Sequence, residues 1–70
     1  MSDTLLIWFN PDAQIYEAGP YVDYKSIATG SLNQDRFEVL YEFNRETVSV
    51  ADKILNALNI ARTNSLFLNL

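Results

Sequence analysis

The sequence carries nine carboxylates and five basic side chains but neither histidine nor cysteine, so any acid–base chemistry falls to Asp and Glu. Those two absences remove the thiol nucleophile, the iron–sulfur cluster, the usual zinc sites and the Ser-His-Asp triad. Glu38 and Glu42 lie four residues apart in an alternating stretch. On a strand they emerge from one face roughly 13 Å apart, at about 3.3 Å per residue. Paired-carboxylate glycoside chemistry needs about 5 to 10 Å. Glu17 on a neighbouring strand can sit nearer either, but three carboxylates on a strand surface read as a solvated edge. Asp12, Asp23 and Asp35 lack the spacing and the glycine of a calcium loop. Gly19 and Gly30 are the only glycines, too few for a loop that cradles phosphate. Tyr16, Tyr21 and Tyr24 beside Lys25 have the residue types of a base-stacking platform. The acidic balance overrides that reading, and they are expected as core or interface aromatics. No catalytic residue, metal or cofactor is expected, and the chain reads as non-enzymatic.

Seventy residues make one domain, burying only about 60% of the surface its unfolded chain exposes. The net charge of −4 argues against a nucleic-acid partner, since phosphate binding needs clustered Lys and Arg. Apolar residues make up 49% of the chain, with one Trp, four Tyr and four Phe, which is the composition of a packed core. The longest apolar run, Leu5 to Phe9, is far short of the roughly 20 residues of a membrane span. The opening Met1-Ser2-Asp3 lacks the positive start and longer apolar stretch that a signal peptide needs, so none is expected. The expectation is a soluble, cytoplasmic protein with no membrane partner.

These side chains must be positioned by five elements. Thr4 to Phe9 reads as a strand that stops at the turn Asn10-Pro11-Asp12. Gln14 to Ala18 resumes strand composition and stops at Gly19-Pro20, which makes the pair a β-hairpin. Pro20 to Thr29 has Tyr21, Tyr24 and Ile27 or Ala28 at helical spacing, with Gly30 at its end; a short helix is favoured over an irregular loop. Arg36 to Phe43 alternates Phe37, Val39, Tyr41 and Phe43 against Glu38, Leu40 and Glu42, the period of a half-buried strand. From Val48 to Ala61 the period turns helical, with Val50, Ile54, Leu55 and Leu58 towards the sheet and Lys53, Asn56 and Asn59 towards solvent. Ser49 with Asp52, or Thr47, is the expected cap.

Alternation then assigns faces. With Phe37, Val39, Tyr41 and Phe43 towards the helices, the outward face carries Leu6, Trp8, Ile15 and Leu40, rimmed by Glu17, Glu38 and Glu42. A Trp in an apolar centre with a charged rim has the anatomy of a protein-binding patch. The tail from residue 63 to 70 is too apolar to be left in water. Leu66, Phe67, Leu68 and Leu70 must pack as a last strand, against the sheet, or on a second copy in a homodimer.

The succession Phe9-Asn10-Pro11, Tyr16-Glu17-Ala18-Gly19 and Arg36-Phe37-Glu38-Val39-Leu40-Tyr41-Glu42-Phe43, closed by an amphipathic helix, resembles a group of short uncharacterised bacterial proteins. The resemblance spans residues 4 to about 62, rests on turn and core residues, and implies no activity, cofactor or catalytic residue. The resulting expectation is an α+β domain of order β-β-α-β-α. Its three-stranded antiparallel sheet packs on one long helix, and the tail can add a fourth strand. Functionally the sequence reads as a small interaction module that presents a sheet face or edge and associates with itself. The alternative is a small acidic inhibitor, or nucleic-acid mimic, that blocks a basic site on a partner.

Overall fold

The computed structural model describes residues 4–68. The chain forms β1 (Leu5–Asn10), β2 (Ile15–Pro20), α1 (Tyr21–Thr29), β3 (Glu38–Phe43) and α2 (Ala51–Leu68), with short 3-10 turns at Gln34–Arg36 and Val48–Val50. The sheet order is β2-β1-β3, antiparallel throughout. This is the expected small α+β domain with its element order intact.

The hairpin forms where the sequence puts it. Asn10 accepts the amides of Asp12 and Ala13 on its side-chain oxygen, at 2.9 and 3.1 Å. Its carbonyl accepts the Gln14 amide at 2.8 Å, which closes the four-residue loop. Gln14 sits at φ 60°, in the left-handed region that side chains other than Asn, Asp and Gly rarely adopt. Register then places Trp8 opposite Glu17 and Leu6 opposite Gly19. A Cβ on Gly19 would lie 3.2 Å from Trp8 Cη2, so the missing side chain lets the indole lie flat across β2.

The face assignment is where sequence and structure part. The expected outward face is covered: α1 lies on it, and Leu6, Trp8, Ala28 and Phe37 form a buried cluster with Tyr24 packed against it. Trp8 is 1% exposed. The opposite face carries a second cluster of Ile7, Phe43 and Ala51, against which Leu5, Ile54, Leu55 and Leu58 pack. The sheet is therefore sandwiched between α1 and α2 rather than laid on one helix. Two cores replace one.

A β-bulge on β3 explains the rest. Ile7 pairs with Tyr41, but its neighbour Trp8 pairs with Val39, so Leu40 is an extra residue with no partner on β1. One inserted residue exchanges the faces of everything beyond it. Phe43 and Tyr41 stay on the α2 side, whereas Val39 and Phe37 move to the α1 side with Trp8. Phe37 and Phe43 are buried as expected; Val39 and Tyr41, at 41% and 43% exposed, are not.

As far as Leu68, the tail is helix and not a strand. α2 continues unbroken to Leu68, seven residues past its expected end at Ala61. Arg62, Thr63 and Asn64 are tolerated in a helix interior and no Gly or Pro intervenes. Val50 is exposed in the preceding 3-10 turn, and Thr47 makes no side-chain cap bond. Instead Asn44 gathers the Glu46 and Thr47 amides on its side-chain oxygen at 2.9 and 3.0 Å.

Asn59 does not face solvent either. Its side-chain oxygen accepts the Tyr16 amide at 2.8 Å and its Nδ2 donates to the Tyr16 carbonyl at 3.1 Å. The side chain thus occupies the open edge of β2 as the backbone of a fourth strand would.

The divided core gives two contrasts. Phe37→Ala and Phe43→Ala should each cost on the order of 3–5 kcal/mol in urea unfolding, whereas Val39→Ala and Tyr41→Ala should each cost less than about 1.5 kcal/mol. Four equal losses would mean that β3 keeps one buried face and has no bulge. Asn59→Ala should cost about 1–3 kcal/mol by stranding the Tyr16 peptide groups, against about 0.5 kcal/mol or less for Asn56→Ala. Similar values for the two would remove the edge clamp.

Candidate functional site

Three kinds of surface deserve comparison: the expected sheet patch, the hairpin tip and the far end of α2. The patch does not assemble. Leu6 and Trp8 are core, and Glu17 is half-buried, serving them structurally. Its Oε1 accepts Trp8 Nε1 at 3.2 Å and Asn10 Nδ2 at 2.8 Å, which satisfies the indole and the one buried polar side chain in the core. Ile15 and Leu40 are exposed, but on β2 and β3, at the two outer strands of the sheet. Glu42 pairs with Leu6 and so lies on the α1 side, while Glu38 pairs with Phe9 and lies on the α2 side. The bulge has split the carboxylates as it split the aromatics. No paired-carboxylate chemistry can be built from them.

The hairpin tip is held rather than open. Asp12 accepts a hydrogen bond from Ser31 Oγ on one oxygen, and from Asn33 Nδ2 at 2.7 Å on the other. Ser31 Oγ in turn accepts the Asn33 amide at 2.9 Å. These donors hold the Asp12 carboxyl below its ordinary value of 3.8, chiefly through Ser31 and then Asn33. On the other side of the loop, Arg62 Nε donates to the Gln14 carbonyl at 2.8 Å, and its guanidinium carbon sits 4.8 Å from the centre of the Phe9 ring. The tip is thus tied to the loop after α1 and to α2. It is a structural latch.

The end of α2 is different. Leu66, Phe67 and Leu68 are 55%, 70% and 86% exposed, and Ile60 one turn and a half earlier is exposed as well. The three expected self-association residues that the structure describes are therefore brought together; Leu70 lies outside the described residues. Arg62, at the Gln14 loop, is the last α2 residue seen to hold the sheet layer. The helix runs a further 6 to 9 Å beyond it, at about 1.5 Å per residue. Its overhang fits a radius of gyration of 12.8 Å, where a compact 70-residue globule has about 11 Å.

A shallow apolar groove lies at the other end of the molecule. Thr4, Leu6, Tyr21, Val39 and Glu42 line it, between the start of α1 and β3, around a volume of about 400 Å³. A second groove lies beside α2, walled by Asn56, Asn59, Ile60, Thr63 and Asn64. Tyr21, Val39 and Ile60 were not singled out as site residues by the sequence. The bulge turns Val39 to the α1 side, and it has no local sequence signal. One signal was legible and missed: all nine acids lie in the first 52 residues.

Among the described residues, no group of three or more Asp or Glu side chains is placed to hold a metal ion. No helix among them is long and apolar enough to cross a membrane. The chain matches no family model, and no curated protein or solved structure matches it.

The Asp12 latch has a definite pH signature. Because its folded pKa is depressed, the unfolded chain binds more protons in this range, so the latch's stabilisation is full above 3.8 and is lost as pH falls through the lower, folded value. In a carboxyl-detected NMR titration Asp12 should therefore have its midpoint below 3.8, and Ser31→Ala should move it upward. An identical midpoint in the two proteins would refute the latch.

Proposed function

We propose that this chain is a non-enzymatic, cytoplasmic protein–protein interaction module that works by associating with further copies of itself. The observation that carries the reading is the projecting end of α2, where Leu66, Phe67 and Leu68 stand in water on a helix that has run past its own sheet. Burying a large apolar side chain is worth about 1.5–3 kcal/mol, so three of them supply a strong motive to be covered. A domain this small has little core of its own to spare, and homo-association is the commonest way to enlarge one.

Chemistry has weaker support. Asp12, whose pKa is lowered, is fully exposed and already holds two partners. The acidic-inhibitor reading gains nothing from the carboxylates of β3, since Glu38 and Glu42 face opposite ways and form no phosphate-like row.

The intact chain should show reversible, concentration-dependent association in sedimentation equilibrium between micromolar and millimolar protein. A double change, Leu66→Ser with Leu68→Ser, should abolish it without altering the far-ultraviolet circular dichroism, since neither side chain is buried in the fold. An intact chain that stays monomeric throughout the range would remove the proposal.

A further inference from the structure

We infer that the apolar end of α2 docks head-to-tail into the groove between α1 and β3 of a second copy, giving open-ended rather than two-fold association. The inference rests on the self-association proposed above and adds the receiving surface. Three observations lead to it.

The first is shape. At about 100° per residue, Leu66, Phe67 and Leu68 span roughly 200° around the helix. A helix end that is apolar on several sides is not covered by a flat seam; it needs a concave receiver. The groove of Thr4, Leu6, Tyr21, Val39 and Glu42 is concave and has an apolar floor and walls.

The second is position. α2 packs on the sheet face of Ile7 and Phe43 and runs towards the hairpin, passing Tyr16 and then Gln14. The groove opens on the face of Leu6 and Trp8, at the start of β1, away from the hairpin. Tip and groove therefore lie on opposite faces and at opposite ends, so no chain can fill its own groove. Two patches so placed make a heterologous contact that leaves a free tip and a free groove at the ends of every assembly.

The third is charge. Residues 53 to 70 carry Lys53 and Arg62 and no acid, a balance of +2. The preceding 52 residues carry nine acids against Lys25, Arg36 and Arg45, a balance of −6. With Asp52 in its first turn α2 as a whole balances at +1, so docking it on the acidic body of another copy brings opposite net charges together, with Glu42 at the groove itself. Pairing α2 with α2 brings like net charges together. Head-to-tail contact is the complementary arrangement.

Area sets the expected strength. Phe67 can bury about 150–250 Å², and with the two leucines and the opposing groove the contact totals on the order of 800 Å². Stable interfaces begin near 1,000 Å², so the association should be weak, and it should weaken further as salt screens the charges.

Two variants test the geometry by capping. Phe67→Glu leaves a working groove on a dead tip, and Val39→Glu leaves a working tip beside a dead groove. Each alone should be monomeric where the unchanged protein forms a ladder of oligomers in sedimentation velocity. Mixed in equal amounts, they should give a 1:1 dimer and nothing larger. Circular dichroism should report both as folded; if Val39→Glu is not, Tyr21→Glu on the other wall of the groove takes its place. If the unchanged chain associates and the groove variant associates equally well, the groove is overturned while self-association stands. A ladder replaced by a single dimer in the unchanged protein would overturn the head-to-tail geometry in the same way. An unchanged protein that is monomeric at every concentration removes both the inference and the reading beneath it.

Discussion

The single extra residue on β3 is the constraint from which the rest of the architecture follows. A regular strand of this length buries one face; the bulge at Leu40 lets β3 bury Phe43 on one side of the sheet while Phe37, just before the strand, is buried on the other. Without it Phe37 would leave the Trp8 cluster, and Tyr24 would lose the Phe37 carbonyl that its hydroxyl donates to at 3.0 Å. The α1 side would then be held by the hairpin alone. With it, each helix has an aromatic from β3 beneath it, and a short chain supports two small cores instead of one. The cost is that Val39, Leu40 and Tyr41, between the two anchors, are exposed.

The same bulge bears on how the sheet ends. β2 and β3 are the outer strands, and an open outer strand invites pairing with another chain. On β2, Asn59 occupies the Tyr16 peptide groups and Pro20 has no amide hydrogen to offer. On β3, the bulge breaks the regular repeat of outward peptide groups, and Glu38 and Glu42 set a charge on each face. Both edges are thus poor templates for strand addition. Association by a sheet edge, one of the two routes expected from the sequence, is the one the fold resists.

How much of this was legible depended on whether the signal was local. The hairpin, the short helix before Gly30, β3 and the long helix all followed from periods and turn residues within a few positions of each element. Even the shared face of Trp8 and Glu17 across β1 and β2 followed. The bulge did not, because Phe37-Glu38-Val39-Leu40-Tyr41-Glu42-Phe43 alternates without a flaw and nothing in it marks Leu40 as supernumerary. What places the extra residue is the need to feed two cores, a tertiary demand. Asn59 was invisible for the same reason: a lone polar residue on a helix reads as solvent-facing until a strand edge is known to lie beneath it. Of the site, only Leu66, Phe67 and Leu68 could be read in advance, and then as apolar residues lacking a place rather than as the end of a helix.

That helix end is the complement of the protected edges. A fold that closes both strands to pairing but leaves three large apolar side chains on a projecting helix has not been built against association in general. It restricts association to one kind of contact, between side chains rather than backbones. The charges follow a similar division, with eight of the nine acids outside α2 and Asp52, Lys53 and Arg62 on it. Strand addition is indifferent to sequence and tends to run on into aggregates. Docking of an apolar helix end by its side chains is selective for surfaces that are apolar and concave. The arrangement exchanges a permissive mode of assembly for a discriminating one, and the face that satisfies it most directly is the groove of Tyr21, Val39 and Glu42 on another copy of the chain.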